Sequence, residues 1–473
     1  MSIPTKMGKI RPQPSQEDPG ARSDSQSSET AAALLAADLN NMTVADRTHV
    51  FEEIHGVAPF PPEELSSQKM QESLANLSKA LDDISDKPAY DEAQRLANVE
   101  SEPTFVNDDT FRLKFLRAEQ FRPQKAAERM VKKLDLLYRY LGPVGLKRPI
   151  TISDLDEKSL SVIKAGSFQL LPSRDRSGRR IAVRIGPLGL DFVKNETSMM
   201  KALLYIFHCL SEDLESQKRG IIMVSFPSVN FDPSTISDPK AKRHISECLD
   251  SIGVRITANH LCFSDKPWFR ALGALFMMAS TPSVRVRTRL HYGSITECQY
   301  KMMSYGIPGD QLPIKNSGTI KIQNQKKWIA FREMKDRIGK GEGTYTVKET
   351  FCPSTKDVLA IGGMHFYKFP GNCRYREMLE SNLHCYDNAA SVQEKIRITN
   401  EVLVNIEASG GRFLVRDKQG WWAPANEETA RVKVSNAFRD VRKSIRAREN
   451  RKRIKSESQK FVAQREKNVT LCS

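Results

Sequence analysis

The chain has 473 residues, 39% of them hydrophobic, and carries a formal net charge of +16. Such a length exceeds one ordinary core and such a composition excludes wholesale disorder, so two or three structured units with linkers are expected. The positive balance points to an anionic partner, and the eight cysteines, scattered without a C-x-x-C pair, argue against a zinc ribbon or a secreted disulfide framework.

Residues 1–41 are rich in Ser, Pro and Gln and carry no apolar signal-peptide core, so a disordered N-terminal segment is expected, with helix beginning at Ala31. A helical extension follows over 42–104. Thr43 caps a helix that stops at Gly56, the prolines of P-F-P-P break the chain, and one long stretch runs from Pro62 to Asn98. In D-D-T-F-R-L-K-F-L-R-A, Phe111, Phe115 and Leu116 fall on one stripe of a helix over Asp108–Glu119, and Pro123 opens a second that ends at the G-P break of Gly142. S-F-Q-L-L-P-S, D-R-S-G-R and R-I-A-V-R-I-G read as strand, turn and strand. An apolar helix over Thr197–Glu215 feeds the short run I-I-M-V-S-F, and a helix over Lys240–Ser251 precedes V-R-I-T-A-N-H-L-C-F-S. Strands alternating with helices predict an α/β fold with a mostly parallel sheet covered by helices. The strongest apolar run, Ala271 to Ala279, is about half the length that spans a bilayer.

These marks, taken in order over Phe105 to Pro313, resemble the CRAL-TRIO lipid-binding family. They are the helical lobe D-D-x-F-x-L-K-F-L-R-A, the turn D-R-S-G-R-R-I-A-V, the buried I-I-M-V-S-F, N-H-L-C-F-S-D-K-P-W-F, and the closing Y-G-I-P-G-D-Q-L-P. The resemblance implies a CRAL-TRIO domain over 105–315 that encloses one hydrophobic lipid, with transient contact to a membrane surface and a cytoplasmic setting. Ile181, Val183, Ile221, Met223 and Ser225 alternate as floor residues of such a cavity would. Trp268, Phe269, Leu272, Leu275, Phe276 and Met278 fall where the family has its mobile gate helix. Arg285, Arg287 and Arg289 follow, with Arg287 the first choice for a headgroup contact. F-P-S-V-N-F stands where relatives carry an acidic residue and a glycine, so phosphoinositide, sterol-like and tocopherol-like ligands all stay open.

A linker with one short helix around Trp328 to Ile338 is expected over 316–354. Residues 355–442 then read as a small α+β domain, with a helix over Val392–Ser409, a hairpin in R-F-L-V-R-D-K-Q-G-W-W and a helix from Glu427. G-N-C-R-Y-R and G-G-R-F-L…W-W make it similar to a domain of unknown function expanded in diatom proteins. Arg374, Arg376, Arg412, Arg416 and Lys418 offer a basic surface for nucleic acid or a protein partner. The basic tail 443–473 extends it, and Arg439 to Lys455 holds nine basic against two acidic residues, a pattern that also fits a nuclear signal.

No H-E-x-x-H, G-x-S-x-G or phosphate-cradling P-loop occurs, and the eight histidines show no ligand spacing, so neither an enzyme nor a metal or cofactor is expected. The reading is a lipid-binding or lipid-transfer protein. The alternative is a lipid-responsive nuclear regulator whose basic C-terminal domain binds nucleic acid.

Overall fold

The computed structural model describes residues 19–57, 66–100, 105–186, 189–229, 231, 244, 247–339, 350–360, 369–416 and 422–470. The chain enters through helices α1 (Pro19–Asn40) and α2 (Val44–His55). Helix therefore starts well before Ala31, and the segment expected to be disordered packs on the body of the protein through Ala31 and Leu35. The Thr43 hydroxyl caps α2 by accepting from the Asp46 amide, and Gly56 ends it in the left-handed region at φ 62°.

Four helices build a lobe: α3 (Ser67–Asp82), α4 (Pro88–Glu100), α5 (Asp109–Ala118) and α6 (Pro123–Leu141). The single stretch expected from Pro62 to Asn98 is in fact α3 and α4, because the residue before a proline is disfavoured in helix and Pro88 suits a first turn. Leu74, Leu77 and Leu81 of α3 share one core with Phe111, Phe115 and Leu116 of α5 and Met130 and Leu134 of α6. The extension and the hairpin at 108–130 are thus one bundle. Short helices α7 (Val144–Lys147) and α8 (Glu157–Ala165) lead to the sheet.

The sheet has five strands in the order β1 (Phe168–Arg174), β2 (Arg180–Ile185), β3 (Ile221–Phe226), β4 (Ile256–Phe263), β5 (Thr288–Tyr292). β1 and β2 pair antiparallel across the D-R-S-G turn, and β2 to β5 run parallel. Each parallel step moves the same way across the sheet, and right-handed crossovers then place their helices on one face. On that inner face Ala182, Ile221 and Met223 pack under Met200, Leu203 and Phe207 of α9 (Gly189–Ser211), which kinks at Asn195 and continues into α10 (Leu214–Arg219). Leu261 and Phe263 of the same face pack under Phe269 of α11 (Pro267–Ala279). The expected helix over 240–251 lies largely outside the described residues, although residues 247–250 are helical.

The outer face carries Ile181, Val183, Ile222, Val224, Ala258 and Cys262. It is covered by Ile54 of α2, Val286 of α12 (Pro282–Arg287), and Cys298 and Met302 of α13 (Ile295–Ser304). Among the described residues, no helix is long and apolar enough to cross a membrane.

The stretch expected to be a linker holds α14 (Gln323–Gly339), which belongs to the sheet domain's core. Trp328, Ile329 and Phe331 pack with Tyr205, and the Arg332 guanidinium donates to the Tyr205 hydroxyl at 2.8 Å and pairs with Glu212 at 2.6 Å. Three apolar residues within four positions gave α14 a buried face. Beyond it, β6 (Val358–Leu359), α15 (Pro370–Asn388), α16 (Val392–Ala408), β7 (Phe413–Arg416), β8 (Trp422–Pro424) and α17 (Glu427–Thr470) form the small C-terminal unit. β7 lies between β6 and β8, and Tyr375, Leu379, Val402, Val434 and Phe438 make its core.

The two units meet through Arg174, buried at the end of β1. Its guanidinium pairs with Asp213 at 2.9 Å and donates to the Pro353 carbonyl. Glu215 beside it accepts from the Thr355 amide and from the hydroxyls of Ser354 and Thr355. Gly178 permits this approach, since a Cβ there would lie 1.9 Å from Thr355 Cγ2.

Candidate functional site

The region expected to hold a ligand is the inner face of the sheet together with α11, which packs directly on it. Strand alternation puts Arg184 of β2, Ser225 of β3 and Leu261 of β4 side by side in register on that face. Ile221 and Met223 share the face, but Ile181 and Val183 point to the other one, into the core under α2 and α13. The five expected floor residues therefore split. Residues 181 and 183 pair with 222 and 224, and a one-residue offset between strands moves a side chain to the opposite face.

Arg184 is a charged residue of the inner face that the sequence pattern did not single out. Its guanidinium donates to the Gly186 carbonyl at 2.8 Å and has no carboxylate partner among the described residues. Burial alone pushes its pKa down to about 9, which marks a cation held in a poorly solvated place. The signal was present in R-I-A-V-R-I-G: a charged residue on the inward period of a strand whose other residues are apolar.

All six expected gate residues lie on α11, which starts with Pro267 in its first turn. The helix lies close on β5 because Gly273 has no side chain, and a Cβ there would sit 2.4 Å from the Tyr292 hydroxyl. Phe269, Ala274 and Met277 are buried, and Leu272 packs with them against Leu261 and Leu290. Trp268, Leu275 and Phe276 are 36%, 51% and 37% exposed. The Trp268 ring stacks on Phe269 and lies 4.3 Å from the Phe231 ring. Arg270 pairs with Asp265 and sits over the Tyr292 ring.

Helix α1 lies across α11. Ala31 and Leu35 pack on Ala274, Met277 and Met278, and the Asp38 carboxylate pairs with Arg285. Arg285 also donates to the carbonyls of Met277 and Ser280, so its hydrogen-bonding capacity is spent inside the fold. The three arginines do not converge as an alternating strand would make them, because α12 runs to Arg287 and β5 starts only at Thr288. Arg287 turns to Glu53 of α2 at 3.4 Å, and Arg289 donates to the Val286 and Thr288 carbonyls on the outer face. Glu53, itself buried, also receives Arg255. Arg285 and Arg287 thus tie α1 and α2 to the sheet domain, while Arg289 is engaged with the backbone of its own segment.

The outer face carries a buried histidine pair that spacing did not reveal. His260 Nδ1 and His291 Nε2 are 3.0 Å apart, with the Tyr305 ring packed against both. Burial holds His260 well below the usual histidine range and pushes His291 down to about 4.

In the C-terminal unit the expected basic surface is partly consumed by the fold. Arg412 pairs with the buried Asp357, Arg374 donates to the Thr355 carbonyl, and Arg416 lies over the buried Trp422 ring. Arg376 donates to Cys373 Sγ, and Lys418 lies outside the described residues. Exposed basic charge gathers instead along α17, at Lys443, Arg446, Arg448, Arg451 and Arg453. Residues 357–440 match the family described as a domain of unknown function (DUF6824). The matched span covers this small unit from β6 into the first turns of α17, nearly the stretch singled out by G-N-C-R-Y-R. A comparison with curated proteins finds no match.

Proposed function

We propose that the α/β domain is a CRAL-TRIO-type lipid binder that holds one amphipathic lipid against the inner sheet face beneath α11. The observation that carries this reading is the two-sided apolar character of α11. Its inward face seals the sheet through Phe269 and Met277, while Trp268, Leu275 and Phe276 face outward. A helix that closes a cleft in one state and touches a bilayer in another needs both faces. Lys266 and Arg270 at its start suit an anionic leaflet.

Enclosure is required by the energetics. Each methylene contributes about 0.8 kcal/mol of unfavourable exposure, so a sixteen-carbon chain costs on the order of 12 kcal/mol to hold in water. Arg184 extends the reading to lipids with an anionic head, whereas sterol-like and tocopherol-like ligands would use the apolar walls alone. On this reading the chain is a carrier or presenter of lipid with transient membrane contact and no catalytic step, working in the cytoplasm.

Extraction of the purified full chain followed by lipid mass spectrometry tests the proposal. One lipid class at near-stoichiometric amount supports it. A lipid-free chain that also takes up no fluorescent lipid from vesicles overturns it. Arg184→Met should shift the extracted pool away from anionic heads.

A second reading rests on α17, whose buried Val434 and Phe438 anchor an exposed basic extension. It makes the C-terminal unit a nucleic-acid binder and the lipid domain its sensor, acting in the nucleus. Binding of duplex DNA that weakens steeply with salt would favour it, and a flat salt response would remove it.

A further inference from the structure

Two lysines line one small pocket at the seam between the helical lobe and the sheet domain, apart from the sheet face under α11. Lys114 comes from α5 and Lys133 from α6, and His208 and Ser211 of α9 complete the polar lining. Phe111 and Phe207 are among the apolar walls. The enclosed space is about 20 Å³, enough for a water, which needs about 10–15 Å³, or for one small ion, and far too small for an acyl chain.

Lys133 is 8% exposed and has no hydrogen-bond or ion-pair partner among the described residues. Lys114 has none either; its ammonium lies 6.0 Å from the Phe111 ring centre. The two acids whose charge reaches Lys114 are engaged elsewhere: Glu212 pairs with Arg332, Lys335 and His208, and Asp108 accepts from the Thr110 amide and hydroxyl. The Ser211 hydroxyl donates to the His208 carbonyl. Burial lowers the pKa of both lysines, Lys133 to about 8, and the charge of Lys114 adds to that depression.

An ammonium group has three donors and no acceptor. With the half-buried Lys114 in the same mostly apolar pocket, the buried Lys133 is repelled by a like charge and has no counter-charge to offset its burial. A water satisfies part of the donors and none of the charge. A single anion between the two satisfies both.

We propose that this pocket binds one small inorganic anion, of the size of chloride, between the ammonium groups of Lys114 and Lys133, and so ties the helical lobe to α9. The proposal is independent of the lipid reading. Binding to the folded state alone raises stability with ligand concentration, and that is the handle for a test.

The full chain is melted at pH 7 in sodium gluconate, with chloride, bromide or phosphate exchanged in at constant ionic strength. The expected result is a saturable rise in Tm with chloride and bromide, on the order of 5 °C at a hundredfold excess over Kd. Lys133→Met, close in shape and uncharged, should melt higher than wild type in gluconate and lose the halide response. A response to phosphate but not to halides would assign a larger anion and overturn the chloride-sized site. A wild type flat in every anion, or the same response in Lys133→Met, overturns the proposal altogether. Should Lys133→Met fail to fold, broadening of the ³⁵Cl resonance by the wild type, abolished by Lys114→Gln, decides the matter, and no broadening counts against the site.

Discussion

Replacing Asp38 with Ala should free α1 from α11 and α12. The Asp38 and Arg285 side chains are 14% and 7% exposed, so the pair is nearly dry. Removing one partner of a buried pair costs about 3–5 kcal/mol, because the other charge is left without compensation. Arg285 keeps the Met277 and Ser280 carbonyls, which places the loss near the lower end, about 3 kcal/mol. The apolar hold of α1 on α11 comes from Ala31 and Leu35, worth together roughly 3 kcal/mol. The loss therefore matches the remaining anchor. At 1.4 kcal/mol per factor of ten, it should raise the population of undocked α1 by about a hundredfold. Hydrogen exchange reads this directly: amides of residues 31–40 and 272–279 should exchange about a hundredfold faster, while those of β3 and β4 keep wild-type rates. Arg285→Met should cost less, since an apolar replacement leaves no buried charge behind. Exchange in 31–40 within about threefold of wild type would refute the reasoning.

Three further outcomes follow from the packing. Gly273→Ala puts a methyl 2.4 Å from the Tyr292 hydroxyl and should cost about 1–3 kcal/mol in urea unfolding, with Tyr292→Phe recovering part of it; an unchanged midpoint would mean that α11 already stands off β5. Glu215→Ala removes the acceptor shared by Ser354 and Thr355 beside Arg174, so calorimetry should resolve two transitions where the wild type shows one, and a single transition in the variant would show that the two units are held otherwise. His291 has its folded pKa pushed down to about 4 by burial and by Lys301 and Arg289. The unfolded chain then takes up protons first, and stability falls as pH drops below about 6.5, by about 3 kcal/mol on reaching pH 4. His260, also lowered, adds to the loss, and His291→Phe should flatten the slope between pH 6.5 and 4; an equal slope would exonerate the pair.

Periodicity carried the elements whose burial is local. The strands at 168–174, 180–185 and 221–226, the α5–α6 hairpin and the helix at 392–408 all stand where their patterns put them. What periodicity lacked was relative offset. Ile181 and Ile221 both sit in alternating apolar runs, yet the pairing of Ile181 with Ile222 sends them to opposite faces. The same limit applied to Arg285 and Arg289, which flank the change from helix to strand at residues 287–288. Only the part of α1 before Ala31 was not expected, because that stretch is Ser-rich and weakly apolar. The place of α1 is set by Ala31, Leu35 and Leu39 and by the half-buried Asp38 carboxylate, whose partner lies 247 residues away in sequence. The short helix expected around Trp328 to Ile338 is α14, and Trp328, Ile329 and Phe331 bury it against the sheet domain, a placement that its local pattern alone does not give.

The basic balance of the chain takes on a different meaning once its arginines are placed. Arg174, Arg179 and Arg285 are all buried and each faces an acid: Asp213, Asp175 and Asp38. Arg255 and Arg287 share Glu53. These side chains fix the termini and α2 to the sheet, and a surface ligand meets none of them without first breaking an internal pair. Net charge is therefore a poor guide to the sheet domain's partner, and the charge that remains for an anion divides into two kinds. One is exposed and additive along α17, where neighbouring arginines face solvent and partners would be bound weakly per residue and screened by salt. The other has no carboxylate partner among the described residues: Lys133, buried in the seam, with the half-buried Lys114 in the same pocket, and the half-buried Arg184 on the inner sheet face. A poorly solvated cation lacking an acid is costly to maintain unless something answers it, so an anionic ligand of the sheet domain would gain more at those three residues than at the internally paired arginines.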